Sequence, residues 1–305
     1  MELEFAKLNG LGNDFVFIDD RDCAIELTEE QVQQLCDRHF GIGGDGVIMV
    51  RPSELEDCVA FMHYINSDGS LAEMCGNGIR CFAKYMIDRK LVDVEAGPFV
   101  VETRAGRRGI SFEIDADGLM TLATIDMGEP ILEPVKVPTT AEATTDYQGT
   151  PAAVSVPLDS PWGIFTFTMV SMGNPHAVCF FDSMEEVDDA AFTDPANKSL
   201  DTFKLDEIGQ FFESHHAFPA KANIEFALVG ENGITMRVYE RGDGETLACG
   251  TGACATNVAS NLTGRAGRVN DLLLRGGKLH IEWLENNHVL MTGPAAQSFT
   301  GTVEV

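Results

Sequence analysis

Two short stretches of this 305-residue chain set a cysteine where a helix should begin. The first reads Asp68-Gly69-Ser70-Leu71-Ala72-Glu73-Met74-Cys75-Gly76-Asn77-Gly78. The second reads Asp243-Gly244-Glu245-Thr246-Leu247-Ala248-Cys249-Gly250-Thr251-Gly252. Both run Asp-Gly, a few residues, then Cys-Gly-(Asn/Thr)-Gly. The Asp-to-Cys offset is 75 − 68 = 7 in one and 249 − 243 = 6 in the other. A duplicated domain explains this more economically than coincidence does.

The chemistry of such a junction is specific. A helix N-terminus leaves its first N–H groups unpaired and carries about half a positive charge. Glycines on both sides of Asn77 and Thr251 let a ligand approach those N–H groups with no Cβ in the way. Each junction is thus a carboxylate cradle. The same field favours a thiolate and is expected to pull each thiol pKa down from about 8.5 toward neutrality. Two such junctions facing one carbon, one thiolate and one thiol, could remove a proton from one face and deliver another to the opposite face. The N–H groups would stabilise the carbanion between these steps. That chemistry requires no pyridoxal or other cofactor, and no motif for one is recognisable.

A single Cys-Gly-x-Gly would read as a small buried residue in a Gly-rich turn; its recurrence in a duplicated context turns the reading toward chemistry. Cys81 and Cys254, inside the helices, read as core. None of the eight cysteines forms a CxxC pair, and no Cys/His spacing suits zinc, so no metal site is expected. A zinc-binding or redox-sensing role for Cys75 and Cys249 is the alternative from a different class.

The elements that must position these junctions are legible in outline. Residues 3–8 and 15–18 read as strands around the loop Gly10-Leu11-Gly12-Asn13-Asp14. Residues 28–39 read as a helix opened by a Thr28/Gln31 capping box. Strands are expected at 47–50 and 59–65, before a helix near Gly76 whose Ile79, Phe82, Ala83 and Met86 follow a buried stripe. Further strands fall at 99–102, 110–114 and 121–125. Residues 129–161 read as a connection and 182–202 as an acidic loop. The second half repeats the order, with strands at 163–170, 224–229 and 234–239, a helix from Gly250, and strands at 279–283 and 289–292. The expected division is 1–128 plus 294–305 as one domain and 129–293 as the other.

Composition excludes several classes. With 21 basic and 48 acidic residues the formal charge is −27, which repels phosphate backbones and argues against nucleic-acid binding. No run approaches the ~20 apolar residues that span a bilayer, so no membrane partner is expected. The N-terminal residues lack a basic n-region and an apolar h-region, which points to the cytoplasm.

Several separated motifs, in order, carry a family resemblance: residues 7–15 (KLNGLGNDF), Asn66-Ser67-Asp68-Gly69-Ser70, Cys75-Gly76-Asn77-Gly78-Ile79-Arg80-Cys81, Gly173-Asn174-Pro175-His176, Ala222-Asn223-Ile224-Glu225-Phe226, Tyr239-Glu240-Arg241 and residues 245–253 (ETLACGTGA). Along nearly its whole length the chain resembles diaminopimelate epimerases. The resemblance implies a mixed, mostly antiparallel α/β fold of two similar domains, each a curved sheet around a central helix, with the active site in the cleft between them and the last strand returning to the first domain. It implies interconversion of LL- and meso-diaminopimelate, a small-molecule substrate, in lysine and peptidoglycan precursor synthesis. Cys75 would deprotonate the LL isomer and Cys249 reprotonate it. Gly76, Asn77, Gly250 and Thr251 would hold the reacting carboxylate. Asn13, Asn66, Asn174, Asn223 and Arg241 would bind the substrate, chiefly its distal end, with Glu240 contributing. His176 and Glu240 would tune the two thiols, Arg80 would be structural, and the protein would be a homodimer. Proline or hydroxyproline racemase is the alternative with the same chemistry, and Arg241 with four asparagines speaks against a ring substrate. Three departures stand out: Gly46 where many members carry a substrate-touching glutamine, Asp243 where an apolar residue is usual, and apparent insertions at 139–161 and 188–202.

Overall fold

The structure, a computed structural model, describes residues 1–305. In chain order the strands and helices are β1 (Glu2–Gly10), β2 (Asn13–Asp19), α1 (Glu29–Cys36), β3 (Gly46–Arg51), β4 (Phe61–Asn66), α2 (Gly76–Asp88), β5 (Phe99–Thr103), β6 (Gly106–Ile114), β7 (Met120–Asp126), β8 (Thr145–Tyr147), β9 (Thr150–Ala152), β10 (Val156–Ser160), β11 (Gly163–Ser171), β12 (Pro175–Phe181), α3 (Leu205–Glu213), β13 (Asn223–Gly230), β14 (Gly233–Glu240), β15 (Gly244–Thr246), α4 (Gly250–Leu262), β16 (Val269–Leu274), β17 (Gly277–Trp283), β18 (Val289–Gly293) and β19 (Ala296–Glu304). The chain divides into two compact units, Met1–Asp126 with Thr292–Val305, and Met127–Met291.

In the first unit β1 pairs antiparallel with β2 and with the returning β19. The β1–β2 hairpin closes through Leu11 (φ 59°) and Gly12 (φ 90°), a two-residue loop with both central φ positive, and this delivers Asn13 at the start of β2. β2 lies parallel to β3, β3 antiparallel to β4, and β5, β6 and β7 form a meander. Eleven of the thirteen residues of α2 are buried, so this is a central helix and not a surface one with a single apolar stripe. It packs on β1, β2, β3 and β7.

The second unit repeats the plan. β10, β11 and β12 run antiparallel, β12 lies parallel to β13, and β13 pairs antiparallel with β14. Helix α4, with ten of thirteen residues buried, packs on β11, β12, β13, β16 and β17. Phe165, Phe167, Phe203, Phe212 and Phe226 form the centre of this unit's core. In both units the order is therefore a parallel pair, an antiparallel partner, a turn, then a buried helix capped by cysteine.

Some expectations needed correction. The capping box at Thr28 is present, but α1 stops at Cys36. There Asp37 turns extended and its carboxylate takes the N–H groups of His39 and Phe40, both at 2.7 Å, in place of further helix. The connection at 129–161 holds the β8–β9 hairpin and β10. Helix α3 was not foreseen; its buried face is Leu205, Ile208, Gly209 and Phe212, and Gly209 is needed because a Cβ would lie 2.5 Å from Tyr239 Cβ.

The Gly46 departure has a physical reason. A Cβ there would sit 2.5 Å from the Ile65 carbonyl oxygen and 2.6 Å from the Tyr64 ring, both on the neighbouring strand β4. Gly46→Ala is therefore expected to destabilise the protein by about 1–3 kcal/mol, the usual cost of overpacking, as read by urea unfolding; an unchanged midpoint and slope would contradict this packing account.

Candidate functional site

Each cysteine is the N-cap of its helix. Cys75 (φ −132°, ψ 125°) and Cys249 (φ −118°, ψ 112°) hold the extended backbone that an N-cap requires. Their sulfurs accept the third helical N–H, from Gly78 at 3.5 Å and Gly252 at 3.4 Å. Sulfur thus stands where serine or aspartate oxygen usually does. Gly76 and Asn77, and Gly250 and Thr251, form the first turns of their helices, where a helix offers N–H groups to an anion.

In the first unit the thiol faces an amide. Cys75 Sγ lies 3.5 Å from Asn13 Oδ1, which also accepts from Asn77 Nδ2 at 3.2 Å. Asn13 is itself held: its Nδ2 donates to Asp45 Oδ2, which also takes the Asp14 N–H at 2.9 Å. Arg38 bridges Asp14 and Asp45, each at 2.7 Å, and Lys7 pairs with Asp14 at 2.7 Å. Burial pushes the Asp14 carboxyl up, but hydrogen bonds from Arg38 and Lys7 outweigh it and hold it at about 2. Arg80, wholly buried, donates to the Gly76 carbonyl at 3.0 Å, to Asn77 Oδ1 at 3.0 Å and to the Pro294 carbonyl at 3.2 Å. It fixes the Asn77 amide from behind. Asn66, at the end of β4, donates from its side chain to Ser70 Oγ at 3.0 Å within its own turn.

The second unit surrounds its thiol with ionisable groups. Thr251 Oγ1 lies 3.5 Å from Cys249 Sγ and accepts from Asn174 Nδ2 at 3.3 Å. His176 reaches Asn174 Oδ1 with Nε2 at 3.1 Å and Glu225 Oε1 with Nδ1 at 2.6 Å. Glu240, at the end of β14, accepts from Thr246 Oγ1 and is hydrogen-bonded to Cys249. Burial pushes its carboxyl up. The Asn223 amide joins two strands: Nδ2 donates to the Pro175 carbonyl at 2.9 Å, and Oδ1 takes the Arg241 N–H at 2.9 Å. The Arg241 guanidinium rests on the Ala220 carbonyl at 3.2 Å and is otherwise exposed.

One sequence expectation fails at Cys249. Burial pushes this thiol well above its ordinary range, and the charges of Glu240 and Glu225 add to that. Hydrogen bonds from Thr251 and Gly252 act the other way and are outweighed. The half charge of a helix terminus does not repay the loss of water around a buried thiolate. Sequence reasoning also passed over Glu225, Asp45 and Thr246. Glu225 had a signal, a lone carboxylate inside the apolar strand Asn223-Ile224-Glu225-Phe226-Ala227-Leu228.

Each of the two duplicated units of this chain carries an N-cap thiol. Solved structures similar in overall fold include a phenazine biosynthesis protein of the PhzF family from Bacillus anthracis, at TM-score 0.67 and 15% identity with all of both chains covered. A probable proline racemase from Agrobacterium radiobacter also matches at TM-score 0.67 and 15% identity, over 99% of this chain and 92% of the other. The family model described as Diaminopimelate epimerase matches residues 5–133 and 168–297. A curated diaminopimelate epimerase of Leptospira biflexa is 44% identical over 306 residues, covering all of both chains. One from Desulfitobacterium hafniense is 46% identical over 305 residues, covering 99% of this chain and 98% of its own. The chain belongs to the diaminopimelate epimerase family.

The charges around Cys249 make a testable statement about pH. Its alkylation by iodoacetamide, followed by mass spectrometry of its peptide, is expected to rise only above the ordinary thiol range. Glu240→Gln removes a negative charge that disfavours the thiolate, so the midpoint should move to lower pH; an unmoved midpoint, or a rise, would contradict the assigned electrostatics.

Proposed function

We propose that the protein interconverts LL- and meso-diaminopimelate by two-base proton transfer between Cys75 and Cys249. The reading is supported first by membership of the family, and then by one feature in particular: the second thiol is buried beside two carboxylates, which together favour its protonated form. A thiol kept in its acid form is what the proton-delivering partner must be when turnover begins from the LL isomer. Cys75 as thiolate would take the α-proton from one face, and Cys249 would give its proton to the other. Each turnover leaves the two protonation states exchanged, which suits a reversible reaction. Negative charge accumulating on the carboxylate is stabilised by helix N–H groups of Gly76, Asn77, Gly250 and Thr251. The reaction so drawn calls for no cofactor.

Asn13 and Asn174 are read as substrate ligands close to the sulfurs, and Asn66, Asn223 and Arg241 as ligands for the distal amino-acid head. Arg241 suits that role because its guanidinium can clamp a carboxylate with two hydrogen bonds. Glu240 and His176 tune the thiol of their unit. We read the protein further as a cytoplasmic homodimer; a monomeric mass in analytical ultracentrifugation would count against the dimer.

The direct test is turnover. Reduced protein is expected to convert LL-diaminopimelate to the meso isomer, and to leave proline and hydroxyproline unchanged. Cys75→Ser and Cys249→Ser should each lower kcat by about 10²–10⁴-fold, the span usual for a lost acid or base. Racemisation of proline alone would keep the chemistry and overturn the substrate. Full activity in either variant would remove that cysteine from the mechanism.

A further inference from the structure

The two units differ beneath their capped helices. In the parallel pair β2–β3, Phe15 lies opposite Gly46 and Ile48 follows two residues on. In β12–β13, His176 lies opposite Asn223 and Glu225 follows two residues on. The helix glycines confirm the correspondence. A Cβ on Gly78 would lie 3.0 Å from Ile48 Cδ1, and one on Gly252 would lie 2.8 Å from Glu225 Oε1. So where one unit packs a Phe and an Ile, its duplicate buries a histidine and a glutamate, both at 0% exposure. Packing alone does not call for this, since an apolar pair of similar volume commonly serves stability as well or better. Glu225 Oε2 has no hydrogen-bond partner, a further cost that the fold tolerates.

What the pair does follows from the direction of its hydrogen bonds. Asn174 donates through Nδ2 to Thr251 Oγ1, which leaves Oδ1, an acceptor only, facing His176 Nε2. Nε2 must therefore carry a proton. Nδ1, 2.6 Å from Glu225 Oε1, then shares one further proton with that carboxyl. At the other end, the Thr251 hydroxyl accepts from Asn174 and has its own proton to give to Cys249 Sγ, 3.5 Å away. Four links join the buried carboxyl to the sulfur.

We propose that Glu225 is a positioning residue for the reaction: by holding His176 in its Nε2–H form it sets the direction of the Glu225–His176–Asn174–Thr251 chain, so that the chain ends in a hydroxyl donor on the Cys249 sulfur. That donor stabilises the thiolate that remains when Cys249 gives up its proton, at the sulfur where burial opposes a negative charge. Without Glu225, a neutral His176 is free to move its proton to Nδ1. Nε2 would then face Asn174 Oδ1 as a second acceptor, and relief would come by turning the amide and reversing the chain.

The inference rests on Cys249 being one of the two bases, and its test separates the two. In histidine-labelled protein, two-bond 1H–15N correlations near neutral pH should show His176 protonated at Nε2; a neutral ring bare at Nε2 would overturn the proposal on the unaltered protein. Glu225→Leu, which copies the apolar counterpart, should lower kcat by at least about tenfold with KM within about twofold. Glu225→Gln can donate from its carboxamide to Nδ1, keep Nε2–H, and should rescue kcat to within about threefold of the parent. Equal losses in the two variants, or no loss in Glu225→Leu, would overturn it. If Glu225→Leu does not fold, the His176 ring in Glu225→Gln decides, and a bare Nε2 there is again contrary. A parent protein inactive on diaminopimelate yet protonated at Nε2 would defeat the functional reading and leave the chain's direction standing.

Discussion

A thiol used as a helix N-cap is the constraint from which the rest of this architecture follows. The sulfur must hold the third N–H of the helix. That fixes extended dihedrals at Cys75 and Cys249 and requires small residues behind them, because a Cβ on Gly252 would fall 3.2 Å from the Cys249 sulfur. It also requires the helix to be buried, since an exposed N-terminus would share its field with water. Both helices are accordingly wrapped by sheet, and the polar residues around each cap arrive from strand starts and ends: Asn13 on β2, Asn174 just before β12, Asn223 at the start of β13, and Glu240 at the end of β14.

Duplication supplies two such caps; divergence makes them unlike. At Cys75 the neighbours are amides held by an ion-pair network, in which Asp45 turns Asn13 so that its oxygen faces the sulfur. At Cys249 the neighbours are two carboxylates and a histidine. On the proposed reading the two bases start a turnover in different protonation states, and unlike surroundings favour that difference. Burial strengthens the effect at Cys249, because charge near a thiol acts more strongly where water is excluded.

Much of this was legible in the sequence, for physical reasons that can be named. The paired Cys-Gly-x-Gly junctions stood out because a helix start imposes small residues at fixed offsets, and the capping box at Thr28 is local chemistry that tertiary contacts seldom override. The mixed, mostly antiparallel two-unit fold is as expected from the family. What escaped was decided at longer range. The α1 terminus is set by the Asp37 side chain, α3 by a packing site that tolerates only glycine at 209, and Gly46 by the carbonyl of a neighbouring strand. The direction of the Cys249 shift was misread because the helix field is visible in sequence while burial and a carboxylate at 225 are not weighed against it there. Glu225 shows the general case: a charge inside an apolar strand announces that something pairs with it, and only the fold says that the partner is His176.

Two bases and one base predict different fates for the first proton removed. Epimerisation of LL-diaminopimelate in deuterated water, stopped within the first few per cent of conversion, reads this directly from the isotope content of both isomers. Two cysteines acting from opposite faces predict that newly formed meso isomer carries deuterium at the inverted carbon while the remaining LL isomer is still protiated. Meso isomer that retains the substrate's own proton would mean that a single group serves both faces, and would contradict the division of labour between Cys75 and Cys249.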